Sequence, residues 1–287
     1  MTTTHSTKPI TAVLKFGGDV VADTPRLAAV ASEVAQLTRR GWRFLLCHGG
    51  NPQANALTER LRLEKKQMGG RRITDRATLE VMKQVLAGQC NVDVVAAAAA
   101  QGLDAVGISS ISAGTVTAKR RPPEVFSGCG PDPVDFGLVG EIIRIQPQLI
   151  RHLWQGGYTP VLNTLGISEW PAEGELVCQI FNINADTVTS AIAAAIRADH
   201  LFLMTGVPGV LRDVNDPSSR IERMNVSEAT RAIADQVVVG GMIPKIEEAI
   251  RNLARGIGQI HILGAEPDSL LGEARQPGSR GTVLTLE

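Results

Sequence analysis

Aromatic residues make up only 3% of this 287-residue chain, too few to build base-stacking platforms for single-stranded nucleic acid. Neither sign of charge is in surplus. The 29 Lys and Arg balance 29 Asp and Glu, so there is no basic surplus to favour nucleic acid and no acidic tail. Cys47, Cys90, Cys129 and Cys178 are far apart and never form a CxxC pair, which argues against a structural zinc site or a disulfide framework. Cys47 and Cys178 read as small buried hydrophobes in apolar surroundings. No apolar run reaches the ~18 residues of a membrane span; Val92 to Ala100 is too short. Met1 to Pro9 is polar and has no signal-peptide core. These absences lead us to expect a cytoplasmic protein with neither nucleic acid nor membrane as partner. At 44% hydrophobic and 20% charged, the chain can bury one large core or two lobes.

Strand-like and helix-like segments alternate, as in a parallel sheet covered by helices. The strands are expected at Ala12 to Phe16, Phe44 to Cys47, Ala105 to Ser109, Tyr158 to Leu162, His200 to Thr205 and Gln259 to Leu263. Thr24 reads as the cap of a helix from about Pro25 to Arg40, with Gly41 ending it. A second helix starts near Pro52. Asp75 caps a long stretch through Ala100, interrupted near Gly88. Ala113 to Ile145 reads as β-hairpins projecting from the sheet, around a loop from Ser127 to Asp135. Gly174 to Ile180 is extended, and Thr187 to Ala198 is an alanine-rich helix. Asn225 or Ser227 caps a helix through Ala234, another runs from the Gly240 region to Ala254, Pro267 to Glu273 is a helical turn, and Thr282 to Leu286 is an edge strand. The hairpin-rich middle suggests two lobes with a cleft between them.

Within this pattern Lys15-Phe16-Gly17-Gly18 ends one strand and His48-Gly49-Gly50 ends the next. Backbone without side chains lets N–H groups approach an anion, and each following helix N-terminus adds partial positive charge. Two such turns in one sheet can face each other across the crevice where open α/β sheets bind ligands. Phosphoryl transfer needs such donors plus fixed cations, and Lys15 and Lys245 supply the charge. The plainer alternative is that paired glycines are ordinary tight turns with solvated lysines. Lys245, directly after Pro244 in the first turn of a helix, opposes the macrodipole unless an anion binds there; it could instead pair with Glu248 at the surface. Asn182-Ile183-Asn184-Ala185-Asp186 has more polar groups than one N-cap requires. Asp186 could hold two ammonium groups and the carboxamides an acceptor. Arg72 has the planar fork that suits a carboxylate. Thr205-Gly206-Val207-Pro208-Gly209-Val210 could wrap a nucleotide.

From Val13 to Val283 these pieces, in this order, resemble the amino acid kinase family, and within it the branch that phosphorylates N-acetyl-L-glutamate. The segments are Lys15 to Gly18, His48 to Gln53, Arg72 to Asp75, Gly137 to Glu141, Asn182 to Asp186, Thr205 to Val210 and Gly240 to Lys245. The resemblance implies a three-layer αβα sandwich around a largely parallel sheet, with β-hairpins over the substrate site. It implies one domain of two lobes, about 9–181 for the acceptor and dimerisation and about 182–287 for ATP. Lys15 and Lys245 would then stabilise the transferring phosphoryl group, Asp186 would organise both, and Gly18 and Gly50 would donate backbone hydrogen bonds. Gly49, Gly50, Arg72 and Asn182 would hold the acceptor. Gly17, Gly18, Thr205, Gly206, Val207, Gly209, Val210, Gly241 and Met242 would contact ATP together with the lysines. Mg²⁺ would travel on the nucleotide, with no metal site of the protein's own.

Three positions depart from the family pattern. Asn51 stands where a third glycine is usual, Gly206 where an acid is usual, and Ser110-Ile111-Ser112-Ala113 where Gly-x-Asp-Gly is common. The stretch before Lys15 is shorter than in arginine-inhibited members, so the expectation is an arginine-insensitive homodimer. Two alternatives are a same-fold kinase for another carboxylate, such as carrier-bound aminoadipate or glutamate, and a non-catalytic amino-acid sensor.

Overall fold

A computed structural model describes residues 8–126, 130–213, 215–238 and 242–287. Cys129 and Gly241 lie outside the described residues, and so does the start of the loop expected from Ser127. The first half of the chain supplies β1 (Ile10–Phe16), α1 (Gly18–Ala22), α2 (Thr24–Thr38), β2 (Trp42–His48), α3 (Asn51–Arg60) and the short hairpin β3 (Gln67–Met68) and β4 (Arg71–Arg72). There follow α4 (Arg76–Lys83), a π-helical turn (Gln84–Cys90), α5 (Asn91–Ala100), β5 (Ala105–Ile108), β6 (Val116–Arg120) and β7 (Gly140–Ile145). The second half adds α6 (Gln148–Gln155), β8 (Thr159–Leu162), β9 (Leu165–Ile167), β10 (Ile180–Asn182), α7 (Ala185–Ile196) and β11 (His200–Met204). It closes with β12 (Arg223–Asn225), α8 (Val226–Ala234), α9 (Met242–Leu253), β13 (Gln259–Leu263), α10 (Ser269–Arg275) and β14 (Gly281–Thr285).

The central sheet runs β12-β14-β13-β11-β1-β2-β8-β5. It is parallel apart from the antiparallel β13–β14 contact, which reverses β14 and its parallel neighbour β12. The expected three-layer architecture is thus present. From β1 the chain builds outward through β2 on one side and β11 on the other, so the C-terminal end of β1 sits at a topological switch point. Strand period fixes which side chains face which layer. Ala12, Leu14 and Phe16 join the core under α2, the α4–α5 stretch and α10. Val13, with Leu45, Leu201 and Leu203, faces the opposite core under α6, α7 and α9. A smaller sheet, β10-β9-β6-β7, carries the expected hairpin region.

Four local expectations need correction. Asp23, not Thr24, caps α2, because its carboxylate accepts from Arg26 N at 3.0 Å. Gly174 to Ile180 is extended only at its end, where Ile180 enters β10; a turn at Gly174 breaks the rest. Thr282 to Leu286 is not an edge, since β14 is paired on both sides and β12 takes the outer position. Cys178 is half-exposed on that broken segment and not a core residue, whereas Cys47 is fully buried in β2. The break foreseen near Gly88 is real, and its form is the π-helical turn.

Of the three departures, Asn51 is the first residue of α3 and takes ordinary helical backbone, so the missing third glycine leaves no strain. A side chain at exposed Gly206 would meet open space. Ala113 is different, with φ at +52°, a left-handed conformation that costs a non-glycine residue roughly 1–2 kcal/mol. Ala113→Gly should therefore raise stability by about 0.5–1 kcal/mol, once glycine's greater unfolded-state freedom is subtracted. A thermal melt reads this as a higher Tm, and an unchanged or lower one contradicts it.

Candidate active site

Strand alternation gives Lys15 the same face as Val13, toward α7 and α9. There its Nζ lies 2.9 Å from Asp186 Oδ1, and the two side chains are only 13% and 25% exposed. Asp186 occupies the first turn of α7, whose cap Asn184 accepts from the amides of Asp186 (2.8 Å) and Thr187 (3.2 Å). Lys245, on the opening turn of α9, lines one small cleft with Asp186, Ser190 and Glu248 above Leu201, Leu203 and Ile260. Burial pushes the Lys245 ammonium below its ordinary value, Asp186 opposes that shift, and the Lys15 charge adds to it. Burial and the Asp186 charge likewise push the Glu248 carboxyl up. Glu248 therefore belongs to the cleft and is not a surface partner for Lys245. The three side chains singled out from the sequence, Lys15, Asp186 and Lys245, converge.

The two glycine turns pack directly on one another. Gly49 N donates to Phe16 O at 3.0 Å, and a Cβ on Gly18 would lie 2.7 Å from Gly50 Cα. A Cβ on Gly50 would crowd Leu86, Cys90 and Val85 of the π-helical turn at 2.9–3.1 Å. Glycine is needed here for close approach. Gly17 caps α1 with extended backbone.

His48 anchors the second turn from below. Its Nδ1 lies 3.0 Å from Gly49 O and its Nε2 3.2 Å from Asn91 Nδ2, which also donates to Val161 O at 3.1 Å. A carbonyl can only accept and an amide nitrogen only donate, so Nδ1 carries the proton and the ring is neutral. Burial pushes its pKa down to about 4. Between about pH 6.5 and about 4 the unfolded chain therefore binds the extra proton. Stability is complete above that window and falls by roughly 3 kcal/mol across it from this group alone. Urea unfolding at stepped pH should show the decline, and a His48→Asn variant a shallower one; parallel curves would contradict the assignment.

Arg72 ends β4 half-buried. Its Nη2 donates to Asn55 Oδ1 at 2.6 Å, while Nε is buried without a partner and burial lowers its pKa. An unpaired buried guanidinium nitrogen has a donor free for an acceptor oxygen. Asn182 ends β10, with its Nδ2 3.2 Å from Thr74 Oγ1 and its backbone N donating to Leu138 O. Gly137 crosses Thr74 so closely that a Cβ would sit 2.4 Å from Thr74 O. Arg72, Thr74, Gly137 to Val139 and Asn182 thus form one wall.

The loop after β11 divides in two. Thr205, Gly206 and Val207 are accessible, with Val207 N and Val207 O both tied to Thr205 Oγ1. Gly209 and Val210 are buried, and Val210 N donates to Thr282 Oγ1 at 2.8 Å. That amide is already used, so Val210 anchors the loop and is not free to contact a ligand through its N–H. Met242 is half-buried against the core under α9. Asn55 and Thr282 border the site and were not picked out from the sequence, while Gln53 and Thr74 lay within quoted segments but were given no role of their own. The Gln53 and Asn55 spacing just after a glycine turn was the one available signal.

The amino acid kinase family profile matches residues 11–264. Acetylglutamate kinase of Sorangium cellulosum (strain So ce56) is 48% identical over 282 residues, covering 98% of this chain and 96% of that protein. Acetylglutamate kinase of Anaeromyxobacter dehalogenans (strain 2CP-C) is 48% identical over 276 residues, covering 96% and 99%. Among solved structures, N-acetylglutamate synthase from Neisseria gonorrhoeae, complexed with coenzyme A and N-acetyl-glutamate, superposes with a TM-score of 0.78 at 23% identity. It covers 97% of this chain and 60% of that one, and speaks to the fold alone.

Proposed function

We propose that this chain, which belongs to the amino acid kinase family, transfers the γ-phosphoryl group of ATP to the side-chain carboxylate of N-acetyl-L-glutamate. The product is the acyl phosphate used in arginine biosynthesis. The observation that carries this reading is the Lys15–Asp186–Lys245 cluster at the sheet's switch point, and relatives at 46–48% identity named acetylglutamate kinase support it. A carboxylate oxygen attacks Pγ, the bond from Pγ to the bridging oxygen breaks, and ADP leaves with that oxygen's charge. No protein nucleophile is required, so the protein's work is positioning and charge stabilisation. Lys15 and Lys245 offset the charge that spreads over the phosphoryl oxygens. Asp186 keeps the two ammonium groups together, and the Gly18 and Gly50 amides supply neutral donors.

Arg72, with Nε unpaired, binds one acceptor carboxylate, while Asn182 and the Gly49-Gly50 turn orient the rest. Thr205 to Val207 and the opening turn of α9 receive ATP. In this reading residues 9–181 serve the acceptor and 182–287 the nucleotide. Among the described residues no three His, Cys, Asp or Glu side chains group to hold a metal, and Asp186 is engaged by Lys15. Mg²⁺ would travel on the nucleotide and offset part of its charge. No described helix is long and apolar enough to cross a membrane.

A coupled ADP-release assay tests the acceptor. N-acetyl-L-glutamate should turn over well above glutamate, aspartate, carbamate and UMP; absence of turnover with N-acetyl-L-glutamate contradicts the proposal. Arg72→Ala should raise KM for the acceptor by about 10- to 100-fold through loss of a charge-assisted pair. KM for ATP should stay within about 2-fold, on the same principle that only the lost contact is affected. A defect in ATP binding would contradict the role.

A further inference from the structure

Two polar side chains on one stretch of α3 reach two different parts of the site, the first glycine turn and Arg72. Gln53, nine-tenths buried, donates from Nε2 to Gly18 O at 2.7 Å. Asn55, two residues on, accepts from Arg72 Nη2 at 2.6 Å. The helix that carries both begins at the second glycine turn, where Gly50 is clamped against Val85, Leu86 and Cys90. We infer that Gln53 and Asn55 are positioning residues that hold the phosphoryl-binding turn at Gly17-Gly18 and the acceptor-binding Arg72 in register with one another. The inference rests on the proposed function for what those two sites bind.

A Gly-Gly turn has no side chains to fix its own conformation. Gly17 and Gly18 therefore need an outside tether, and the Gln53 amide is that tether. Its other atom makes the case sharper. Gln53 Oε1 is buried with no partner, an arrangement that a residue present only for packing would avoid. Turning the carboxamide over would set its oxygen against Gly18 O, two acceptors face to face, so the donor is what the position requires. On the other side, Asn55 is neutral. It steadies one nitrogen of Arg72 without satisfying its charge and leaves Nε for the ligand. One rigid helical turn thus sets the separation of two sites whose reacting atoms must meet within a few tenths of an ångström.

Three variants test this. Gln53→Leu keeps the bulk and removes the donor: kcat should fall about 30-fold, since misplacement by ~1 Å costs up to about 100-fold. Both KM values should stay within about 3-fold, and Tm should change little, because the loss of an unpaired buried acceptor offsets the stranding of Gly18 O. Gln53→Glu cannot donate to Gly18 O when ionised, so its kcat should recover as pH falls and the carboxyl protonates, a limb absent from the unaltered protein. Asn55→Asp gives Arg72 a full counter-charge, so KM for the acceptor should rise about 10-fold with kcat and KM for ATP retained. Amide hydrogen exchange over residues 16–22 should quicken in Gln53→Leu whether or not an acceptor is present. Unchanged kcat in Gln53→Leu, unchanged exchange there, or unchanged acceptor KM in Asn55→Asp overturns the inference. If the unaltered protein lacks turnover with N-acetyl-L-glutamate while exchange at 16–22 responds, the proposed activity fails and the tether stands.

Discussion

Lys15→Ala and Lys245→Ala should each lower kcat by about 10²–10³-fold, the range expected when a preorganised donor is withdrawn from a developing anion. The two losses should differ in kind. Removing Lys15 strips Asp186 of its 2.9 Å partner and leaves a mostly buried carboxylate facing the triphosphate. KM for ATP should therefore rise as well as kcat fall. Removing Lys245 leaves the Lys15–Asp186 pair intact, so the defect should appear mainly in kcat. The pH profile follows from the same geometry. Lys245 must be protonated to act, and its pKa is lowered by burial and by the Lys15 charge despite Asp186. The basic limb of kcat/KM, which reports the free enzyme, should begin below the ordinary lysine value of 10.5. Retained kcat in both variants would show that the phosphoryl site is elsewhere.

The second large effect concerns stability. Glu273 on α10 is fully buried and accepts from His261 Nδ1 at 2.8 Å and from the amides of Gly278, Arg280 and Gly281 at 2.6–2.9 Å. Burial pushes its carboxyl up, but the His261 bond and the backbone amides outweigh that and leave it below the ordinary value. Glu273→Ala would strand three amides and one imidazole at once, at a cost of roughly 3–5 kcal/mol. A lower urea midpoint with an unchanged slope is the expected readout. A depressed carboxyl stabilises the fold above its unfolded value of about 4.5, and that contribution fades as pH falls through the folded value. The same loop is gripped by Arg220, which donates to Gly278 O, Ser279 O and Gly281 O. Arg220 flanks Gly209 and bridges Leu211, beside the segment offered for ATP, so KM for ATP should rise with the loss of stability. An unfolding free energy within about 0.5 kcal/mol of the parent would contradict this reading, since substitutions at exposed sites behave that way.

The sequence made the sheet and the cluster at the ends of β1 and β2 legible because both depend on local signals. Apolar runs that stop in paired glycines mark strand ends, and those ends do meet at the switch point. Lys15 and Asp186 are 171 positions apart; the residue types allowed the pairing and the family resemblance implied it, and strand period with a helix N-terminus accounts for it in the fold. What was missed depends on long-range pairing. Thr282 anchors Val210 from the far end of the chain, and nothing near Thr282 announces it. The position of β14 inside the sheet required knowing that β12 pairs outside it. Ala113 takes a left-handed backbone, which an alanine in the sequence does not announce. Asp23 displaced Thr24 as cap, a shift of one residue between two good caps.

The measurement that bears most directly on the account is a crystal structure with a non-hydrolysable ATP analogue and N-acetyl-L-glutamate. Both ammonium nitrogens should lie within hydrogen-bonding reach, about 2.7–3.2 Å, of oxygens on the nucleotide's terminal phosphate region. Arg72 should meet an acceptor carboxylate on the opposite side of the two glycine turns. A nucleotide seated away from Lys15 and Lys245, or an acceptor that leaves Arg72 unpaired, would contradict it.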